Sequence, residues 1–160
     1  LLCSFYRNIQ KQSVIYEGEE EEAKKSEQFN LQAFEEELKE AQKITEHIII
    51  GGDWNAHNPA WLDNNIDHIG EIVLDFIVSN NLHILNSLPF DTTFLKEGGS
   101  SSIDISLCSH SLLPLCSNWR TDDYHLDVDS DHLPITFNIL APWSQSRIER
   151  QKIETWNLSC

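Results

Sequence analysis

Apolar residues recur along this chain with two different periods, and the changes of period mark out its elements. Leu31, Phe34, Leu38 and Ala41 fall at helical spacing, Asn30 can cap their start, and Glu35 and Lys39 form a favourable i,i+4 pair. This predicts an amphipathic helix. Ile69, Ile72, Val73, Phe76 and Ile77 match the i, i+3, i+4, i+7, i+8 template and run out at Asn80 and Asn81, which predicts a second. Other segments read as strands: LLCSFY at 1–6, LHILN at 82–86, DTTFL at 91–95 after a turn at Pro89, SIDISL at 102–107, the stretch around Trp119, and PITFNIL at 134–140. HIIIGG at 47–52 is a continuous β-branched run closed by glycines, the pattern of a strand buried on both faces. GGSSS at 98–102 reads as a flexible connection and YHLDVDSDH at 124–132 as a polar loop. Beyond Pro142 periodicity is lost and charge rises, so residues 1–142 are expected to form the domain and 143–160 a linker.

Composition narrows the class. An apolar fraction of 40% in 160 residues is enough for one globular domain with a sizeable core, and no apolar run is long enough for a membrane helix. The chain starts at Leu1 and contains no Met, and its N-terminus lacks the order of a signal peptide, so it reads as a fragment of a longer protein. Its net charge of −15 repels a phosphate backbone and its Lys and Arg are scattered, so a nucleic-acid partner would have to be held locally, through carboxylates bridged by a divalent cation. The acidic run GEEEEAKK at 18–25 is too densely charged to bury and reads as a solvated segment. Cys3, Cys108, Cys116 and Cys160 form no CxxC pair and have no His at zinc-ligand spacing, which fits small buried hydrophobes in a reducing intracellular compartment.

Three clusters carry candidate chemistry. In GGDWN, strand alternation would put Asp53 and Asn55 on one side and Trp54 on the other, at the mouth of a buried strand. Gly51 and Gly52 would leave room for a ligand, Asp53 could accept a proton from water, and Asn55 could donate to a phosphate oxygen. The bland alternative is an Asx turn that ends a strand. In SSSIDISL, Ser102, Asp104 and Ser106 share a face; either this is the exposed face of an edge strand, or Asp104 has a partner. In DSDHLP, Asp131 and His132 could supply a metal-facing carboxylate and a phosphate-facing donor, or form a surface loop of an acidic protein. Asp127 and Asp129 lack the glycine and terminal Glu of an EF-hand loop.

The order GDWN, SIDISLCS, SDHLPI resembles the endonuclease/exonuclease/phosphatase superfamily, in particular the apurinic-type endonuclease domain of non-LTR, jockey-like retrotransposons. GGDWNAHNPAW is the closest match, supported by the following helix, LHILN and Trp119, so the resemblance covers roughly 48–140. It implies an α/β fold, a four-layered α/β/β/α sandwich like that of deoxyribonuclease I, with its opening strands missing here. It also implies roles: Asp53 orients or deprotonates the attacking water, Asn55 contacts the scissile phosphate, Asp131 acts near the metal, and His132 donates to the phosphoryl oxygen while Asp104 holds its ring. Tyr6 would be the family's tyrosine at a strand end, although RNIQKQ replaces the prolines expected after it. The family's upstream Asn and metal-binding Glu have no counterpart, so the metal site is expected to be incomplete.

The function implied is Mg²⁺-dependent (or Mn²⁺-dependent) nicking of a DNA target, in the nucleus of the cell, by a protein with an upstream half-domain and a downstream reverse transcriptase toward which RQKIETWNLSC leads. As an isolated fragment the chain is expected to be inactive. Two alternatives remain: another phosphoesterase of the superfamily, or a non-catalytic retroelement remnant that only folds or binds.

Overall fold

The structure is a computed structural model that describes residues 1–6, 30–122 and 130–140. The acidic run, the aspartates at 127 and 129, and the linker beyond Pro142 lie outside the described residues. The elements are, in order, β1 (Leu2–Tyr6), α1 (Gln32–Ile44), β2 (Ile49–Asp53), α2 (His68–Ser79), β3 (Leu82–Ile84), β4 (Phe94–Lys96), β5 (Gly99–Ser101), β6 (Asp104–Ser109), β7 (Cys116–Thr121) and β8 (Ile135–Ile139).

Four strands form one sheet in the order β1-β2-β6-β3, with β1 parallel to β2 and the other pairs antiparallel. The expected β-branched run lies at its centre and is buried on both faces, as a central strand between two covering layers must be. On one face Ile48, Ile50, Trp54, Ile105 and Leu107 meet the apolar stripes of α1 and α2, chiefly Leu38, Val73, Phe76 and Ile77. Phe5 stacks on Trp54 at 4.1 Å between centroids, and Phe34 and Phe76 complete an aromatic cluster under the helices. On the other face Ile49 and Cys108 pack against Trp119 and, at the margin, Ile135 and Phe137 of the β7–β8 sheet. Helices, sheet and second sheet are thus the layers that the described residues supply. Each fully buried Ile or Leu side chain contributes ~1.5–3 kcal/mol relative to exposure.

Local signals hold at both helices. Asn30 Oδ1 accepts from Gln32 N at 2.7 Å, Lys39 pairs with Glu35 at 2.8 Å, and Asp67 caps α2 by accepting from Gly70 N at 2.6 Å. GGSSS departs from expectation. Gly99–Ser101 is a strand, paired antiparallel with Phe94–Lys96, and the turn between them uses Gly98 at φ +96°. Its polar composition hid a strand whose stability comes from the β4 backbone and from no apolar face of its own. SIDISL is no edge strand either: β6 lies between β2 and β3, with Ser102, Asp104 and Ser106 buried.

Candidate active site

Register builds the site. Asp53 is the last residue of β2, and in the ladder it stands between Tyr6 of β1 and Asp104 of β6. Residues paired in register share a face, so all three side chains leave the sheet on the side away from the helices. Trp54, fully buried beneath the sheet, anchors the strand end from the opposite face.

Asn55 reaches Asp53 by a different route from the one alternation suggests. The chain turns at Asn55, which has φ +46°, a left-handed conformation that Asn tolerates better than most residues. Asp53 Oδ1 accepts from Asn55 N at 3.0 Å and Oδ2 from Asn55 Nδ2 at 3.0 Å. The Asx turn and the acid–amide pair are therefore one structure, and extended alternation stops at Trp54. The two glycines also divide their roles. Gly51 has open space on its Cβ side, whereas a Cβ on Gly52 would fall 1.8 Å from the carbonyl oxygen of Phe5, so Gly52 makes room for β1 and not for a ligand.

Asp104 is held by buried polar groups that sequence reasoning did not single out. Its N–H donates to Thr93 Oγ1 at 3.0 Å, and its carbonyl accepts from Asn86 Nδ2 at 3.0 Å. Asn86 Oδ1 in turn accepts from Ser106 N at 2.9 Å. With its backbone fixed on both sides, the Asp104 carboxylate faces His132, whose Nδ1 lies 3.0 Å from Oδ2 and 3.2 Å from Oδ1. An ionised carboxylate only accepts, so Nδ1 carries the hydrogen in this pair and Nε2 is turned outward. That second nitrogen lies 3.9 Å from Asp53 Oδ2. His132 is set in place by a short ladder against β4: Leu95 N donates to the Asp131 carbonyl at 2.7 Å, Leu133 N to the Thr93 carbonyl at 2.8 Å, and the Phe94 ring meets the imidazole edge-on at 4.9 Å.

The electrostatics single out Asp53. Burial pushes its carboxyl above the ordinary value, and the nearby Asp104 charge reinforces this, while the Asn55 N–H and amide and the His132 ring oppose it. A carboxylate so raised is a stronger base than one in water.

Asp53, Asn55, Asp104 and His132 thus converge, from three separate chain segments. Tyr6 lies on the same row with its side chain largely in solvent, at the outer edge of β1. Asp131 contributes its backbone to the loop, and its carboxylate is exposed and bonded to none of the four. Among the described residues no three Asp, Glu, His or Cys side chains converge as a metal site, and Asp53 and Asp104 are committed to Asn55 and His132.

A further buried acid stabilises the loop after β2. Asp63, with a fully buried side chain, accepts from Asn65 N and from Ser102 N, each at 2.8 Å, while Ser102 Oγ donates to the Trp61 carbonyl at 3.0 Å. His57 Nδ1 lies 3.2 Å from Asp63 Oδ2 but off the hydrogen-bonding direction, so the contact is electrostatic at most. Asp67 Oδ1 accepts from His57 N at 3.2 Å as well as from the helix. The segment NAHNPAWLD is thereby tied to the residues just before Asp104. The visible signal was an Asp directly ahead of the α2 template, a helix-cap pattern.

The layered α/β fold is that of the deoxyribonuclease-I-like endonucleases. Residues 2–136 match the endonuclease-reverse transcriptase family, a branch of the endonuclease/exonuclease/phosphatase nucleases, and the chain belongs to it. Among solved structures it is similar to the endonuclease domain of TRAS1, a telomere-specific non-LTR retrotransposon, with 28% identity and a TM-score of 0.57 over 68% of this chain and 51% of that one. It also shares its fold with a 3′-5′ exonuclease, NExo, from Neisseria meningitidis, at 17% identity and a TM-score of 0.56 over 68% of this chain and 51% of that one. A structure described as the 3′ phosphatase NExo from Neisseria bound to product DNA hairpin gives 16% identity and a TM-score of 0.55 over 69% and 52%. No curated protein sequence matches the chain significantly. The chain spans about half the length of the structures it matches. No helix among the described residues is long and apolar enough to cross a membrane.

Proposed function

We propose that this chain carries the phosphodiester-hydrolysing residues of a retroelement endonuclease that nicks target DNA. The observation that carries the reading is the convergence of Asp53, Asp104 and His132, with the ring held 3.0 Å from one acid and 3.9 Å from the other.

In this reading Asp53 holds the attacking water and takes its proton as the water oxygen bonds to phosphorus. Asn55 keeps that carboxylate oriented and lends its amide to the phosphate. His132, with Nδ1–H fixed on Asp104, presents Nε2 to a phosphoryl oxygen and, when protonated, donates to the charge that develops there while the bond to the leaving sugar oxygen breaks. Tyr6, at the rim, contacts the DNA backbone. Nucleases of this superfamily generally use divalent metals; Mg²⁺ or Mn²⁺ would neutralise phosphoryl charge, and Asp131 is the residue of this chain assigned to it, with further ligands supplied by upstream sequence. With a net charge of −15, binding of DNA depends on that compensation. The setting is a larger intracellular protein, at work in the nucleus, in which residues 143–160 lead toward a reverse transcriptase.

The test is nicking of supercoiled plasmid by the complete domain encoded in the parent gene. Mg²⁺-dependent nicking is expected there and none from the 160-residue chain alone, and Asp53→Ala or His132→Ala should abolish it. Nicking by the short chain in EDTA would overturn the mechanism. A complete domain that stays silent with Mg²⁺ would make the protein a non-catalytic remnant.

A further inference from the structure

At the far end of the central sheet a second pair of imidazoles stands apart from the site. His83 lies in β3, and His110 directly follows β6. Twenty-seven residues separate them in the chain, yet His83 Nε2 lies 3.0 Å from His110 Nδ1, with ring centroids 5.1 Å apart. His83 is half-buried and His110 exposed. Asp104 and Ser109 mark the two ends of β6, so this pair lies about 17 Å from the proposed catalytic row.

Two neutral imidazoles can share one hydrogen across such a gap, and the same gap suits a metal. A tetrahedral ion with Zn–N bonds of about 2.0–2.1 Å holds neighbouring nitrogens about 3.3–3.4 Å apart. From 3.0 Å the rings need to part by only a few tenths of an ångström, and an exposed side chain can do that by a small χ rotation. The ring that donates must first move its hydrogen to its other nitrogen; solvent can carry that exchange, and no proton is lost overall. Both donors are borderline nitrogen ligands, which select zinc-like dications over Mg²⁺. The protein's strong negative charge favours the arrival of any cation.

We propose that His83 and His110 form a two-histidine site for a Zn²⁺-type transition-metal ion, completed by water. Its effect is structural: the ion clips the three-residue edge strand β3 to the turn after β6, and it takes no part in phosphoester chemistry.

The test is Zn²⁺ binding to the metal-free chain, followed by calorimetry and by competition with a chromophoric zinc indicator, in excess Mg²⁺. The unmodified chain and His132→Gln should bind one Zn²⁺ with equal affinity, and His83→Gln and His110→Gln should each weaken it roughly tenfold or more. Zn²⁺ should raise the thermal midpoint of the unmodified chain and leave that of His83→Gln/His110→Gln unmoved, with circular dichroism confirming that the variants fold. Absence of binding, binding unchanged in both single variants, or binding lost only in His132→Gln would overturn the proposal.

Discussion

Replacing Gly52 and Gly51 by alanine, one at a time, should move stability in opposite directions. At Gly52 the new Cβ would fall 1.8 Å from the carbonyl oxygen of Phe5, 2.7 Å from its carbon and 2.8 Å from its nitrogen. These are backbone atoms of a strand that is hydrogen-bonded to β2, so no side-chain rotation relieves the overlap. Opening the closest contact from 1.8 Å to at least 3.0 Å requires a shift of 1.2 Å or more, which also disturbs the stack of Phe5 on Trp54. Overpacking of this kind costs ~1–3 kcal/mol, and the backbone at φ +157°, rare for a residue with a side chain, adds ~1–3 kcal/mol. The sum is ~2–6 kcal/mol, ~4–24 °C in thermal midpoint for a chain of this size. At Gly51 nothing lies within 4 Å of the new methyl, so the lower entropy of the unfolded chain should stabilise by ~0.4–1 kcal/mol, ~1–4 °C. Thermal and urea melts followed by circular dichroism measure both. A Gly52→Ala variant as stable as Gly51→Ala would refute the close approach of β1.

The acid at position 53 predicts a pH-dependent stability. Because its folded carboxyl is raised above 3.8, the folded state holds that proton longer than the unfolded chain, and its contribution is lost as pH rises from 3.8 through the folded value. Asp53→Asn should therefore be the more stable protein at neutral pH, with the difference closing below 3.8, as urea midpoints across pH would show. In the complete domain Asp104→Asn should lower the nicking rate by ~10²–10⁴, since Asn can present an amide hydrogen to Nδ1 and turn the ring, while circular dichroism stays unchanged. Thr93→Val should cost ~1–3 kcal/mol in urea unfolding by leaving Asp104 N without its acceptor. Asp63→Ala strips acceptors from the buried Ser102 N and from Asn65 N, and a loss below about 1 kcal/mol would contradict its structural role.

What could be read from the sequence follows the range of the interactions. Both helices carry their own instructions in the Leu31/Phe34/Leu38 and Val73/Phe76/Ile77 stripes, and the isoleucines at 48–50 announce a strand covered on two sides. That Asp104 needs a partner was legible because a lone acid within an apolar strand is unfavourable, and the family resemblance named His132 as that partner, which the structure places 3.0 Å away. Long-range backbone contacts were not legible. β5 has no apolar pattern and exists because β4 lies beside it; Gly52 is needed only once Phe5 is known to cross there; Thr93 and Asn86 look like ordinary loop polars until Asp104 is placed between them. Asn55 meets Asp53 as expected but by a turn and not by alternation, because its φ of +46° ends the extended strand.

The shared row of Tyr6, Asp53 and Asp104 ties fidelity of folding to competence. A slip of β6 by one position against β2 would carry Asp104 to the helix-covered face, among Trp54 and Phe76, and leave Ile105 where the acid belongs. An uncompensated charge in that aromatic layer costs several kcal/mol, a large share of the ~5–15 kcal/mol that holds a domain together. Misregistered chains therefore unfold instead of persisting as compact, inactive molecules. A preparation of the complete domain should accordingly behave as an all-or-none population, in which the fraction that titrates as active equals the fraction that is folded.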